Sequence, residues 1–300
     1  VTYYSIPEDL SEENIKRVSC IDTENPFCAL SEGDLYLSLA EEREKIDFLI
    51  NHLIQQAEKM SSAKAQPTNM EIVIESILQS MQYSGGKAII MGISQPQDPK
   101  CMTKVTENDD GKQTKVNKYL VGVKLLLTKN PYFEEKALEL RAARIGIDQF
   151  WFNRVMDTTP LAYLSQKTGG KFTFYPNFSQ FLHSTQLYYQ LYSAMAQFSA
   201  MEVVARLRSS EEIKLISFNT PAGQDPLLDI SLSTLNTEQM LVANLEASNL
   251  KAKPVHFQLV LIHSDFFGQR KLRVINLCLP TTTNLDLFYR SLNCEALVYT

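Results

Sequence analysis

The spacing of apolar residues changes character along the chain. Up to about residue 200 it favours helices alternating with short apolar runs. Within 35–59, Leu35, Leu39, Ile46, Leu49, Ile50 and Leu53 recur at helical intervals with Glu and Lys between them, which predicts one amphipathic helix. Ile72, Ile74, Ile77, Leu78 and Met81 predict a second over 70–81, stopped by Gly85-Gly86. The run 87–93 is apolar without alternation, as a strand buried on both faces requires. A helix over 132–143 feeding a strand over 147–152, and a helix over 161–167 feeding a strand over 171–175, continue the pattern. Repetition of this unit predicts an α/β class domain: an open, mostly parallel sheet with right-handed crossovers and flanking helices. Val1 to Ser5 is strand-like, and the chain ends on the equally strand-like Ala296 to Thr300, as expected of a piece of a longer protein.

From Glu202 onward the helical period is lost. Short strands are predicted over 202–208, 213–218, 240–246, 256–263 and 270–279, with turn residues between them, which indicates an all-β sandwich. The expected division is therefore 1–200 and 201–300. The strongest signal is 257–280, FQLVLIHSDFFGQRKLRVINLCLP, two strand-like runs broken by Ser264, Asp265 and Gly268, hence a β-hairpin. In the return strand Arg270, Leu272 and Val274 point one way and Lys271, Arg273 and Ile275 the other. Neither face is wholly apolar, so the hairpin belongs at a surface. The polar stretch 94–118, with Pro96, Pro99, Asn108, Asp109, Asp110 and Gly111, buries too little to offset its ordering entropy and is predicted to be mobile.

Composition narrows the function classes. A hydrophobic share of 44% over 300 residues supports one large or two ordinary cores. The net charge of −5 argues against a dedicated nucleic-acid binder. The five cysteines, Cys20, Cys28, Cys101, Cys278 and Cys294, form no CxxC pair and suit reduced thiols. No apolar run approaches the roughly 20 residues that span a bilayer. Catalytic patterns are equally lacking. Ser84-Gly-Gly-Lys87 precedes a strand and lacks the spacing of a phosphate loop, while His52, His183, His256 and His263 have no metal-ligand spacing. Asp109-Asp110 is a solvated turn without the later ligands of a calcium loop, and Trp151 with Phe150 and Phe152 is core.

What remains is recognition. In 202–208 the two-residue period sends Val203, Ala205 and Leu207 to one face and Arg206 and Arg208 to the other. Their Cα atoms stand about 6.6 Å apart, so two guanidinium forks can bracket an acidic ligand. Equally, they can pair with Glu211, Glu212 or a carboxylate of another strand.

Several segments together resemble one family over nearly the whole chain. Gly268-Gln-Arg-Lys-Leu-Arg-Val274, Asn276-Leu-Cys-Leu-Pro280 and Leu285-Asp-Leu-Phe288 resemble the sandwich hairpin of the cargo-selecting subunits of the COPII vesicle inner coat. Ser84-Gly-Gly-Lys-Ala-Ile-Ile90, Ile145-Gly-Ile-Asp-Gln-Phe150, Gly169-Gly-Lys-Phe-Thr-Phe-Tyr-Pro-Asn-Phe178 and Val203-Val-Ala-Arg-Leu-Arg-Ser-Ser210 fall in the family's order. The resemblance implies a von Willebrand A-like trunk, incomplete here, followed by part of a β-sandwich. It implies a non-enzymatic cargo adaptor that binds export signals on cytosolic tails of membrane proteins, SNAREs included. A sister inner-coat subunit would pair through the trunk, and the coat would associate peripherally with endoplasmic reticulum exit sites and vesicles. In the family, arginines matching Arg206 and Arg208 line a pocket for acidic, leucine-containing signals, with Leu261 matching an apolar member. A second cargo site uses an aromatic and an arginine after the segment matching 215–218, and Asn219 to Asp225 holds no such pair. No metal loop of the DxSxS kind is present, and the zinc ribbon of the family would lie upstream, so no cofactor is expected in these residues. The alternative is an A-domain-like binding module unrelated to coats.

Overall fold

The computed structural model describes residues 2–20, 27, 30–60, 69–96, 130–197, 199–220, 223–225, 229–248, 253–265 and 267–293. Strands β1 (Thr2–Ser5) and β2 (Lys16–Ser19) form an antiparallel pair. The helix expected over 35–59 is instead two, α1 (Glu32–Leu35) and α2 (Arg43–Met60). Ser38 breaks it, because its N–H donates to the Glu42 carboxylate at 2.9 Å and its hydroxyl accepts from the Glu41 N–H. Such local bonds compete with helix continuation.

Helix α3 (Met70–Met81) matches its expected bounds and is capped by Asn69, whose side chain accepts from Ile72 N–H at 3.0 Å. Strand β3 (Gly86–Gly92) follows, and after 97–129, which lie outside the described residues, come α4 (Pro131–Ala142), β4 (Ile145–Phe152), α5 (Thr159–Thr168), β5 (Phe172–Tyr175) and α6 (Gln180–Ala196). The stretch expected to be mobile, 94–118, is thus described only at 94–96. The strands are parallel in the order β3-β4-β5. One face is covered by α3, α4 and α5 around Met70, Ile74, Phe133, Leu140, Ile147, Trp151 and Leu164, all buried. Trp151 is core, as expected, and its indole N–H donates to the Gln149 side chain at 2.8 Å. The other face is covered by α6, which contributes Leu187, Leu191 and Ala194 to a cluster with Phe150 and Tyr175. A buried ion pair, Lys87 to Asp148 at 3.0 Å, ties the β3 and β4 strands together, and Lys87 also donates to the Ala194 carbonyl of α6. The Ser84-Gly-Gly-Lys87 segment is therefore a helix-to-strand turn with a structural lysine.

The second half holds β6 (Ser199–Ser209), β7 (Ile213–Thr220), β8 (Gly223–Asp225), β9 (Asp229–Asn236), β10 (Val242–Ala247), β11 (Val255–Ser264), β12 (Arg270–Leu279) and α7 (Leu285–Ser291). Two antiparallel sheets, ordered β12-β11-β6-β9 and β10-β7-β8, enclose Val203, Ala205, Phe218, Ile230 and Leu232. The hairpin is the one read from the sequence, its β12 exposed along both faces. Asp265 organises its turn by accepting from the N–H groups of Phe267 and Gln269, both at 2.9 Å.

Strand β9, absent from the sequence reading, joins the halves. Its Thr234 is buried between β4 and the end of α5, and the Thr234 hydroxyl donates to the Gly169 carbonyl at 3.2 Å. A Cβ on Gly169, which closes α5 at φ +81, would lie 2.6 Å from the Thr234 carbonyl oxygen. A Cβ on Gly146 would lie 2.8 Å from the Thr234 hydroxyl. Gln239 donates to the same Gly169 carbonyl at 2.9 Å, and Gln197 to the Thr237 hydroxyl at 2.7 Å. Gly146 and Gly169 thus let β9 approach, while Gly170 lies against β4, where a Cβ would stand 2.0 Å from the Ile147 carbonyl oxygen.

Candidate ligand-binding surface of the sandwich

In the β6–β11 ladder Arg206 stands opposite Val260 and Arg208 opposite Gln258, while Ala205 stands opposite Leu261. Directly opposed residues share a face and neighbours alternate. Arg206, Arg208, Val260 and Gln258 therefore occupy the outer face. Leu261 occupies the inner one, where it packs with Val203, Ala205 and Leu207 against the second sheet. The structure does not bring Leu261 together with the arginines; the apolar side chain that accompanies them is Val260, one position earlier. A shift of one residue in register exchanges the faces of a strand, and nothing in the apolar run 259–262 fixes that register from sequence.

The two arginines are not equivalent. Arg206 is paired with Asp229, its direct cross-strand neighbour on β9, through Nε and a terminal nitrogen on the two carboxylate oxygens. That hydrogen-bonded guanidinium holds the Asp229 carboxyl below the usual carboxylate range. The competing partner is thus a carboxylate of another strand, and not Glu211 or Glu212. Arg208 makes no ion pair among the described residues. It lines a cleft of about 460 Å³ together with Ser210, His256, Gln258, Asn276 and Cys278. His256 and Cys278 face each other across the β11–β12 ladder, and Gln258 donates to Asn276 at 3.0 Å. The arrangement is a guanidinium set among neutral hydrogen-bonding side chains at a sheet surface, suited to a carboxylate.

Further along the same sheet, Glu202 sits at a bulge of β6 in a left-handed conformation, φ +52. Its carboxylate takes hydrogen bonds from Ser264, from Arg270 of the hairpin and from Arg144, itself at φ +63. Burial pushes the Glu202 carboxyl up, but the Ser264 and Arg144 hydrogen bonds and the two guanidinium charges outweigh it and leave it lowered. Arg141 donates to the Ser231 carbonyl of β9 at 2.5 Å. These contacts clamp the two halves and were not visible in sequence. Among the described residues no three His, Cys, Asp or Glu side chains gather as a metal site, and no helix is long and apolar enough to cross a membrane.

Comparison with known proteins locates this architecture. Residues 1–195 match the family model of the Sec23/Sec24 trunk domain and residues 200–282 that of the Sec23/Sec24 beta-sandwich domain. Protein transport protein sec24 of Aspergillus niger is 26% identical over 299 residues, covering 98% of this chain and 32% of that protein. Protein transport protein SEC24 A of Arabidopsis thaliana is 24% identical over 302 residues, covering 99% of this chain and 28% of that protein. The crystal structure of the human COPII-coat protein Sec24c superposes with a TM-score of 0.81 at 22% identity, over 99% of this chain and 38% of that one. The chain spans about a third of the length of the relatives it matches.

Proposed function

The chain belongs to the Sec23/Sec24 family, of Sec24 type, and from that premise we propose that it forms the signal-reading part of a COPII cargo adaptor in endoplasmic reticulum to Golgi transport. Acidic export signals on cytosolic tails of membrane proteins, SNAREs among them, would dock on the outer face of the sandwich. The observation that carries this reading is Arg208, an exposed guanidinium without an ion-pair partner among the described residues, at the mouth of a polar cleft. Arg206 would join when the ligand displaces Asp229, and Val260 would contact the apolar residue of the signal. The unit 1–200 would serve as trunk and carry the contact to a sister coat subunit, with 201–300 as the sandwich. Helix α6 supports that assignment: it holds no charged residue, and Phe181, Leu182, Tyr188, Tyr189, Tyr192 and Met195 are exposed on it. Charge depletion with aromatic enrichment marks interface cores. The coat would bring the protein to membranes peripherally.

The test is the affinity of an acidic export peptide beside thermal stability. Arg206→Ala with Arg208→Ala should weaken binding about 10- to 100-fold, since hydrogen bonds to charged groups each contribute about 1.5–3 kcal/mol before screening. Lys at both positions should restore part of it, lacking the planar fork. Folding should hardly change. Unchanged affinity together with a large loss of stability would make both arginines structural and end the assignment.

A further inference from the structure

Where the sandwich meets the trunk, a further cleft of about 480 Å³ opens beside β6 and β9. Arg141 and Arg144, at the end of α4 and just beyond it, line it together with Glu202 of β6 and Arg270 of β12. Ala142 and Val204, both exposed, give it an apolar wall. It shares no residue with the cleft beside Arg208 and does not rest on the function assigned to that one.

Two features exceed what a clamp between the halves needs. The first is charge. Glu202 takes both Arg144 and Arg270, one carboxylate for two guanidinium groups, while Arg141 holds only the neutral Ser231 carbonyl. Three cations lining the cleft against one anion leave an excess of two positive charges. Each guanidinium spends one terminal nitrogen on these bonds, so Nε and the other terminal nitrogen of all three face no partner among the described residues. The second feature is backbone. Arg144 follows α4 in left-handed conformation, φ +63, at a position where helices commonly carry glycine. Glu202 is left-handed too, and among the described residues only one other non-glycine is. Strained residues of this kind gather at ligand sites.

We propose that this cleft binds a phosphorylated serine or threonine side chain of a partner protein. A phosphate monoester carries about −1.5 to −2 charge at pH 7, which matches the excess of two, whereas a carboxylate would meet only half of it. Its three peripheral oxygens suit planar forks arriving from different sides. The apolar wall decides between sources of the phosphate. Ala142 and Val204 can cover the methyl or methylene of the phosphorylated residue and its neighbours, but an inositol ring, hydroxylated all round, gains nothing from them. Because Arg141 belongs to the trunk and Arg270 to the sandwich, the bound phosphate would also tie the halves together.

The intact protein would be titrated, by fluorescence anisotropy, with three fluorescein-labelled amides: Gly-Ala-phosphothreonine-Val-Ala, and the same peptide with threonine or glutamate at the centre. The phosphorylated peptide should bind about tenfold more tightly than the threonine one, with glutamate between them. Arg141→Gln should remove that advantage at unchanged Tm, since it breaks neither ion pair of Glu202, and Arg208→Ala should leave it intact. Arg141→Lys keeps the charge and a donor for the Ser231 carbonyl but loses the fork, so it should retain part of the advantage, and it gives the answer should the glutamine variant unfold. Equal binding of the three peptides, glutamate as good as phosphothreonine, or an advantage left whole by the Arg141 variants would each overturn the proposal. So would Arg141-dependent capture by vesicles containing phosphatidylinositol 4-phosphate without any phosphothreonine advantage, because the cleft would then belong to a lipid headgroup.

Discussion

The contact of β9 with the trunk can be dissected with three glycines. Gly268 and Gly169 both hold left-handed backbone, φ +73 and +81, but a Cβ on Gly268 meets nothing within 4 Å while one on Gly169 lies 2.6 Å from the Thr234 carbonyl oxygen. Left-handed backbone costs an alanine about 1–2 kcal/mol, of which about 0.4–1 is returned by the stiffer unfolded chain. Gly268→Ala should therefore cost about 1 kcal/mol. Gly169→Ala adds overpacking against a strand backbone that cannot rotate away, about 1–3 kcal/mol more. Gly146 is different again: it has no positive φ, and its Cβ would strike the Thr234 side chain, the hydroxyl at 2.8 Å and the methyl at 2.9 Å. Adding Thr234→Ala should consequently rescue much of the Gly146→Ala loss and none of the Gly169→Ala loss, where the obstacle is a main-chain oxygen. The single change Thr234→Ala also removes the hydroxyl bond to Gly169, about 1 kcal/mol. Urea and thermal unfolding of the singles and doubles measure all of this, with about 2–4 °C of Tm per kcal/mol. Equal losses for Gly169→Ala and Gly268→Ala, or equal rescue at both junction glycines, would refute the wedge.

Four further outcomes are expected. Lys87→Met leaves Asp148, 1% exposed, without its counter-ion and should cost about 3–5 kcal/mol in urea unfolding, far more than removal of the exposed Lys214; a loss near zero would mean the pair is not buried in solution. Asp229→Asn frees Arg206 and should strengthen acidic-peptide binding about two- to fivefold in a fluorescence titration; weaker binding would show that Asp229 orients the guanidinium for the ligand. Since His263 has a lowered folded pKa, its contribution to stability is complete above the unfolded value of about 6.5 and is lost as pH falls through the folded one; Tm should decline from pH 7 toward pH 5, less steeply in His263→Gln, and an identical slope would place the proton uptake elsewhere. Tyr188→Glu with Tyr192→Glu should abolish co-purification of a sister coat subunit at unchanged Tm, and retained pairing would move the trunk contact off α6.

Much of the fold was legible because the decisive residues act locally. Strand β3 announces itself as an unalternating apolar run, β4 and β5 as short strands each fed by a helix, and the β11–β12 hairpin as two strand-like runs about a turn. Elements whose neighbours lie far away in sequence were not legible. Helix α6 buries little beyond Ala194 and leaves its tyrosines outside, so no apolar stripe marks it. Strand β9 buries Ser233, Thr234 and Asn236 along with Ile230 and Leu232, because part of it faces the trunk instead of water. Polar residues buried by a distant partner look like loop residues until the partner is in place.

The binding surface failed to be legible in a similar way, and the failure is informative. The alternation in β6 correctly puts Arg206 and Arg208 on one face, since Val203, Ala205 and Leu207 have a core to fill. Which residue of Leu259-Val-Leu-Ile262 joins them depends on ladder register, and four consecutive aliphatic residues carry no parity of their own. The register is set by the ends: the Asp265 turn fixes β11 on β12, and the β6 bulge at Glu202, held by Arg144 and Arg270, fixes β11 on β6. A glutamate in strained backbone beyond the cleft thus helps decide which aliphatic side chain the arginines meet. Glu202→Gly would relieve the strain at φ +52 and leave the bulge permitted, yet remove both ion pairs, so the register would lose its electrostatic stop while keeping its backbone permission. Peptide selectivity should then blur before stability does, since exposed ion pairs contribute little to folding but position two strands relative to each other.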